Sequence, residues 1–252
     1  MRNKRKTKLY QKLMLSFLCV CILPLLIVTM VIYEVSARNI EGSCMEMAAI
    51  FNSQIITNMD EFMEEYDRAT RSILVDFDII HNLSEADEHD VMKELEQQLN
   101  MRRIMMRLLT LKPEIRGITL LTADGRAYQL SDGGKTVDSS ILKEQEWLLD
   151  FQESGDILVV TAVHDKAYYE EEQDDLAITV CRRILDYNGR YVGDLLMDLD
   201  PDSLIRLDED FLLARNEYNI RISITDAKNG ILFDSDVASG RLTWQEAVLR
   251  CV

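Results

Sequence analysis

GITLLTADGRAYQLSD at positions 117–132 decides the fold, because RISITDAKNGILFDSD at 221–236 repeats it 104 residues later. In each copy a strand of β-formers runs into an Asp-Gly or Asn-Gly turn, a returning strand follows, and Ser-Asp closes the segment. One hairpin used twice points to two modules of one fold in tandem. Only 16 residues follow Asp236. The second module is therefore expected to be incomplete, its lone hairpin leaving an unpaired edge and an exposed apolar face prone to disorder or aggregation.

Downstream of the first copy, a short helix around 143–151 carries Trp147. Two strands follow at 157–164 (ILVVTAVH) and 176–187 (LAITVCRRILDY), joined by the acidic loop AYYEEEQDD. Asn188-Gly189 turns the chain into a last strand at 191–199 (YVGDLLMDL), and Pro201 suits the first position of a helix. Upstream, Phe51, Ile55, Met59, Phe62, Tyr66, Ala69 and Ile73 recur in steps of three and four, an amphipathic helical face suited to covering a sheet or pairing with a second copy. Ser84-Glu85-Ala86-Asp87 reads as a variant capping box. It opens a second helix through Val91, Leu95, Leu99, Ile104 and Leu108, which Lys112-Pro113 ends. The fold class is α+β: an antiparallel sheet with helices packed beside it.

At the N-terminus the first twelve residues hold six cations and no acid, and 13–33 (LMLSFLCVCILPLLIVTMVIY) is uncharged. Twenty-one helical residues span roughly 30 Å, the hydrocarbon thickness of a bilayer. The positive-inside rule places the N-terminus in the cytoplasm and everything beyond Tyr33 outside. Val35-Ser36-Ala37 loosely resembles a signal cleavage site, but the apolar run is longer than a signal core, so an uncleaved anchor is expected. Of the 28 basic residues, six precede Tyr33, leaving 22 against 44 acids in 34–252, a net charge of −22. Such an excess lacks the basic footprint of a nucleic-acid binder and makes a surface patch for anionic lipid untenable.

Chemistry-bearing motifs are sparse. No nucleophile with its base, phosphate loop or paired catalytic carboxylates stands at a usable spacing, so no catalytic residue, enzymatic role or cofactor is expected. Cys44, Cys181 and Cys251 are scattered, and His81 and His89 lie eight residues apart, so no metal site is expected. Asp198, Asp200, Asp202 and Glu209 copy part of a calcium-loop spacing. Ser203, however, replaces its turn glycine, and Asp200-Pro201 fits a helix start better. In the last strand Asp198 alternates away from Leu195, Met197 and Leu199, while Arg182 shares a face with Ile178 and Val180. A half-buried Arg requires an anion, and an internal pair with Asp198 is preferred over a ligand carboxylate. Tyr128, Trp147, Tyr168, Arg182 and Asp198 together make a candidate aromatic and carboxylate pocket for a sugar or amine.

These residues carry a resemblance. The basic N-terminus, one membrane helix, long external helix, ITLLTADGR hairpin, Trp-bearing helix and LAITVCRRILDYNGRYVGDLLMDLD together resemble the external half of a YesM-type two-component sensor histidine kinase. That family's external region is a double Cache domain, two PAS-like modules on a long helix. The resemblance implies a cytoplasmic segment at 1–12, a membrane helix at 13–33, a long external helix at 34–80, a membrane-distal Cache module at 81–205 and an incomplete proximal one at 206–252. It further implies a small-molecule pocket in the distal module and a homodimer through the N-terminal helices. Amino-acid-binding members have an Arg-x-Trp-Tyr motif. Here Gln145 and Leu148 flank Trp147 in place of Arg and Tyr, which argues against an amino-acid ligand. No second membrane helix, HAMP-like linker or kinase segment precedes Val252, so this chain is expected to be C-terminally truncated and without phosphotransfer activity. The same module on a chemoreceptor or cyclase, or a secreted binding protein released at Ala37, are the alternatives.

Overall fold

The computed structural model describes residues 2–74, 91–131, 134–170, 176–204, 221–226, 228–238, 240–244 and 246–247. The capping box at 84–87, His81, His89, Glu209, Cys251 and the loop residues 171–175 lie outside the described residues. The chain divides into two compact units, Met1–Ser53 and Gln54–Val252.

The first unit is helix alone. Helix α1 (Arg2–Leu74) contains Pro24 within its span, and apolar side chains such as Phe17, Leu25 and Ile32 are well exposed along it. By length and composition this is one helix able to cross a membrane.

In the second unit the C-terminal turns of α1 are followed by α2 (Val91–Leu111) and then the sheet. The strands are β1 (Ile115–Thr122), β2 (Ala127–Ser131), β3 (Leu158–Val160), β4 (His164–Asp165), β5 (Leu176–Leu185) and β6 (Tyr191–Leu199). Pairing is antiparallel in the order β2-β1-β6-β5-β3, with β4 also on β5. Two short helices, α3 (Ser139–Lys143) and α4 (Glu146–Ser154), lie between β2 and β3. Asp138 caps α3 by accepting from the Ser140 and Ile141 amides, while Gln145 stands at the α4 N-cap without a side-chain bond. This is the expected α+β arrangement of a long N-terminal helix and an antiparallel sheet.

Both faces of the sheet are covered, so its central strands are apolar on both sides. Ile118, Leu120, Ile178, Val180, Leu195 and Met197 form one core with Ile55, Phe62 and Tyr66 of α1 and Met101, Met105 and Leu108 of α2. Leu121, Cys181 and Leu196 form the other, with Leu142, Leu148 and Phe151 of α3 and α4 and Tyr168 and Tyr169 of the segment after β4. Register fixes this division: Thr179 lies opposite Asp198, Cys181 opposite Leu196 and Arg182 opposite Leu195. Side chains alternate along each strand, so Asp198 and Arg182 are on opposite faces.

The structure departs from the sequence-based expectations at α2, in the run 157–164 and in the second hairpin, and the helix expected around 143–151 is replaced by α3 and α4. On α2 the buried side chains are Met101, Met105 and Leu108, whereas Leu95 and Leu99 are more than half exposed, because only the C-terminal turns of the helix meet the sheet. The run 157–164 breaks into β3 and β4: the Thr161 amide still donates 2.9 Å to the Thr179 carbonyl of β5, but beyond it the chain leaves the ladder, and the Val163 amide donates 2.7 Å to the Ile231 carbonyl. That bond joins the segment to the second hairpin, β7 (Ser223–Thr225) and β8 (Ile231–Asp234), which precedes the short helix α5 (Ser235–Ala238). Far from presenting a bare apolar face, the hairpin buries Ile231 and Phe233, and Phe233 belongs to the same core as α1 and α2. The expected exposure is absent there because that core covers it.

Candidate functional site

The face of the sheet beneath α3 and α4 carries a buried polar cluster. Asp198, 4% exposed, accepts 2.7 Å bonds from the Tyr169 hydroxyl at Oδ2 and from Thr179 Oγ1 at Oδ1. Gly117 opposes Asp198 across β1 and β6 and makes the first bond possible: a Cβ there would lie 2.0 Å from the Tyr169 hydroxyl. An interior strand glycine marks such a close approach.

His164 of β4 extends the cluster. Its Nδ1 is 2.9 Å from the Asp165 carbonyl and its Nε2 is 2.9 Å from Thr179 Oγ1. A carbonyl only accepts, so the proton of a neutral imidazole belongs on Nδ1. Nε2 and Asp198 then compete for the single Thr179 hydroxyl proton, and only the imidazolium satisfies every contact. Burial opposes that charge and holds the His164 pKa below its ordinary value.

Four aromatic rings wall the cluster. Trp147, in the first turn of α4, stacks on His164 at 4.5 Å between centroids, and Tyr168 lies 5.9 Å from Trp147 and 5.1 Å from Tyr169. Burial, reinforced by the nearby Asp198, raises the pKa of both tyrosines, so both hydroxyls keep their protons. Trp147 Nε1 is buried with no hydrogen-bond partner, and the Tyr168 hydroxyl, near Thr179 and Asp198, makes no well-formed bond to either. Buried donors without a full bond carry a cost, which an acceptor reaching them would remove.

Of the five residues the sequence singled out, the structure brings together Trp147, Tyr168 and Asp198. Tyr128 and Arg182 lie across the sheet. The expected pair of Arg182 with Asp198 is corrected: Arg182 donates 2.6 Å to Asp67 of α1, whose carboxyl this bond holds below its ordinary range. Strand alternation is the cause, since Arg182 faces α1 whereas Asp198 faces α4. Sequence reasoning missed Tyr169, Thr179, His164 and Gly117. The strand glycine was the available signal, while Thr179 needs the β5–β6 register, which nothing in the two strand sequences specifies. In the motif compared with amino-acid receptors, Leu148 is buried in the core and Gln145 donates to the Ile141 carbonyl, so neither stands at the cluster as a ligand-binding group. Among the calcium-like residues, Asp200 pairs with Arg116 at 2.8 Å and Asp202 accepts from Trp244 Nε1 at 2.9 Å.

No protein-family model matches the chain, and no curated protein sequence matches it. Among solved structures the chain is similar to sensory domains of bacterial chemoreceptors. The ligand-binding domain of Campylobacter jejuni Tlp3 in complex with 4-methylisoleucine is 15% identical with a TM-score of 0.47, over 75% of this chain and 69% of that one. The periplasmic sensory domain of Campylobacter jejuni Tlp1 is 15% identical with a TM-score of 0.42, over 79% and 78%. The ligand-binding domain of the Pseudomonas aeruginosa receptor PctC in complex with GABA is 14% identical with a TM-score of 0.41, over 77% and 79%.

Proposed function

We propose that this chain is the membrane-anchored, extracytoplasmic sensing part of a two-component sensor histidine kinase, and that its own role is binding rather than catalysis. The observation that carries the sensing role is the pair of buried, unpartnered donors, Trp147 Nε1 and the Tyr168 hydroxyl, beside Asp198. The kinase output follows from the sequence resemblance, with a double Cache arrangement, a cytoplasmic N-terminus and a homodimer through the N-terminal helices. Exposed Ile56 of α1 supports the last of these. The two donors favour a sugar or polyol that supplies acceptors to them and an apolar edge to the rings, and each Asp198 oxygen keeps a lone pair for a ligand hydroxyl or amine.

A ligand that prefers one arrangement of the N-terminal helices shifts their populations, and that shift is the signal. Thermal melts of the full chain in lipid nanodiscs, screened against sugars, amines and organic acids, test the site. A concentration-dependent rise in Tm with a sugar, abolished by Trp147→Phe or Tyr168→Phe, supports it. A folded chain with no shift, or one the two variants leave intact, overturns it. The output is tested separately: a reading frame continuing past Val252 into an ATP-binding region supports the kinase, and one continuing into a chemoreceptor signalling hairpin overturns it.

A further inference from the structure

We propose that the cleft between α2 and β2, across the sheet from Trp147 and Asp198, is a second binding site that takes a small organic carboxylate. Its cavity is about 410 Å³, within the size range of small-molecule sites. Gln98, Arg102 and Met105 of α2 line one side, and Arg126, Tyr128 and Gln129 the other.

Charge marks the cleft, and an unpaired buried donor sets it apart. In a region of net charge −22, two arginines and no acid line it; the larger cavity lined by Lys143 and Arg183 is also free of acids but has no such buried unpaired donor in its lining. Arg102 is exposed and has no hydrogen bond or ion pair among the described residues. Arg126 is anchored: Nε donates 2.8 Å to Asp124, and Nη1 donates 3.1 Å each to Gln97 and to the Tyr128 hydroxyl. Its remaining nitrogen, Nη2, is buried without an acceptor. A guanidinium fixed by three bonds and short of a fourth is a prearranged half of a carboxylate pair, and Arg102 supplies a second, adjustable cation.

The walls argue for an organic anion. Met105 is buried in the core, and Ala127 and the Tyr128 ring add apolar surface beside the charges. A bare inorganic ion would leave that surface and most of the volume unfilled. A carboxylate on a short apolar body would use both.

Calorimetric titration of the full chain in zwitterionic nanodiscs, with benzoate, succinate and inorganic phosphate as probes, tests the assignment. Saturable binding of a carboxylate at one per chain is expected, weakening as salt is raised and weakening about tenfold or more in Arg102→Gln. Because Arg102 is exposed and has no hydrogen bond or ion pair among the described residues, that variant keeps the fold. Trp147→Phe leaves the binding unchanged, which separates this site from the one on the other face. The proposal is overturned by the absence of saturable binding, by equal affinity in Arg102→Gln, by phosphate binding as tightly as the carboxylates, or by loss of binding in Trp147→Phe.

Discussion

On one face of the sheet, buried Arg182 meets Asp67 of α1 in an ion pair, and apolar side chains of α1 and α2 close around it. On the other, buried Asp198 meets two hydroxyls, with an imidazole behind one of them and two donors nearby left unsatisfied. The same strands, read alternately, build both. The first holds two opposite charges in a direct pair, although Arg182 Nε is itself buried without an acceptor. The second holds a carboxylate on neutral hydroxyls, and on the function proposed above its two free donors are what a ligand would use.

Breaking the supporting face should cost most. Asp67→Ala leaves Arg182 buried without its anion and should lower unfolding stability by roughly 2–3 kcal/mol, short of the figure for a fully enclosed pair because Asp67 is partly exposed. Denaturant titration of the full chain in nanodiscs measures it. Replacing Arg182 and Asp67 together by Met and Leu should cost much less, and an equal loss would show that the packing, not the charge, is at stake.

Gly117→Ala comes next. The added methyl pushes the Tyr169 hydroxyl off Asp198, and the expected loss is about 2 kcal/mol in the same titration. A variant as stable as the wild type would mean that the ring is free to move.

The neighbouring tyrosines sharpen the contrast. Tyr169→Phe removes a donor that Asp198 uses and should cost about 1–2 kcal/mol. Tyr168→Phe removes a hydroxyl with no well-formed bond, and with it the cost of burying that donor, so ligand-free stability should not fall and should rise by up to about 1 kcal/mol. Equal effects would erase the distinction between the partnered and the unpartnered donor.

The smallest effect is on pH. The folded state holds His164 below its ordinary pKa, so the unfolded chain takes up a proton that the folded chain refuses. Stability from this group is full above the unfolded value near 6.5 and falls as pH drops below it, by at most about 1.4 kcal/mol per unit. His164→Gln should flatten the curve between roughly pH 7 and 5. The loss from Asp67 sets in at lower pH, since its depressed carboxyl begins to protonate in the unfolded state only near the ordinary Asp range.

How much of this was legible beforehand follows from what each strand says about itself. Strands 115–122 and 191–199 were readable to the residue, because their β-formers end at Asp-Gly and Asn-Gly turns or at Pro. Alternation alone put Asp198 and Arg182 on definite sides of their own strands. It did not give the offset between β5 and β6, and without that offset the two side chains looked like partners. The stripe on α1 was legible in Ile55, Phe62 and Tyr66, which recur at helical spacing and enter the core with the sheet. That on α2 was misjudged, as its apolar residues outnumber those the sheet can cover and sequence does not say where contact begins. Tyr169 and Thr179 were invisible for a related reason: each matters only through Asp198, a contact across 29 and 19 residues.

The bond from the Val163 amide to the Ile231 carbonyl gives the second hairpin a further meaning. Val163 directly precedes His164, the residue on which Trp147 stacks, and at Gly230 a side chain would strike Ala162. The segment beneath the aromatic rings is thus stitched by main chain to β8. Deuterium uptake at Val163 therefore gauges two things with one amide: how often the floor of the site opens, and how often the hairpin lets go of it.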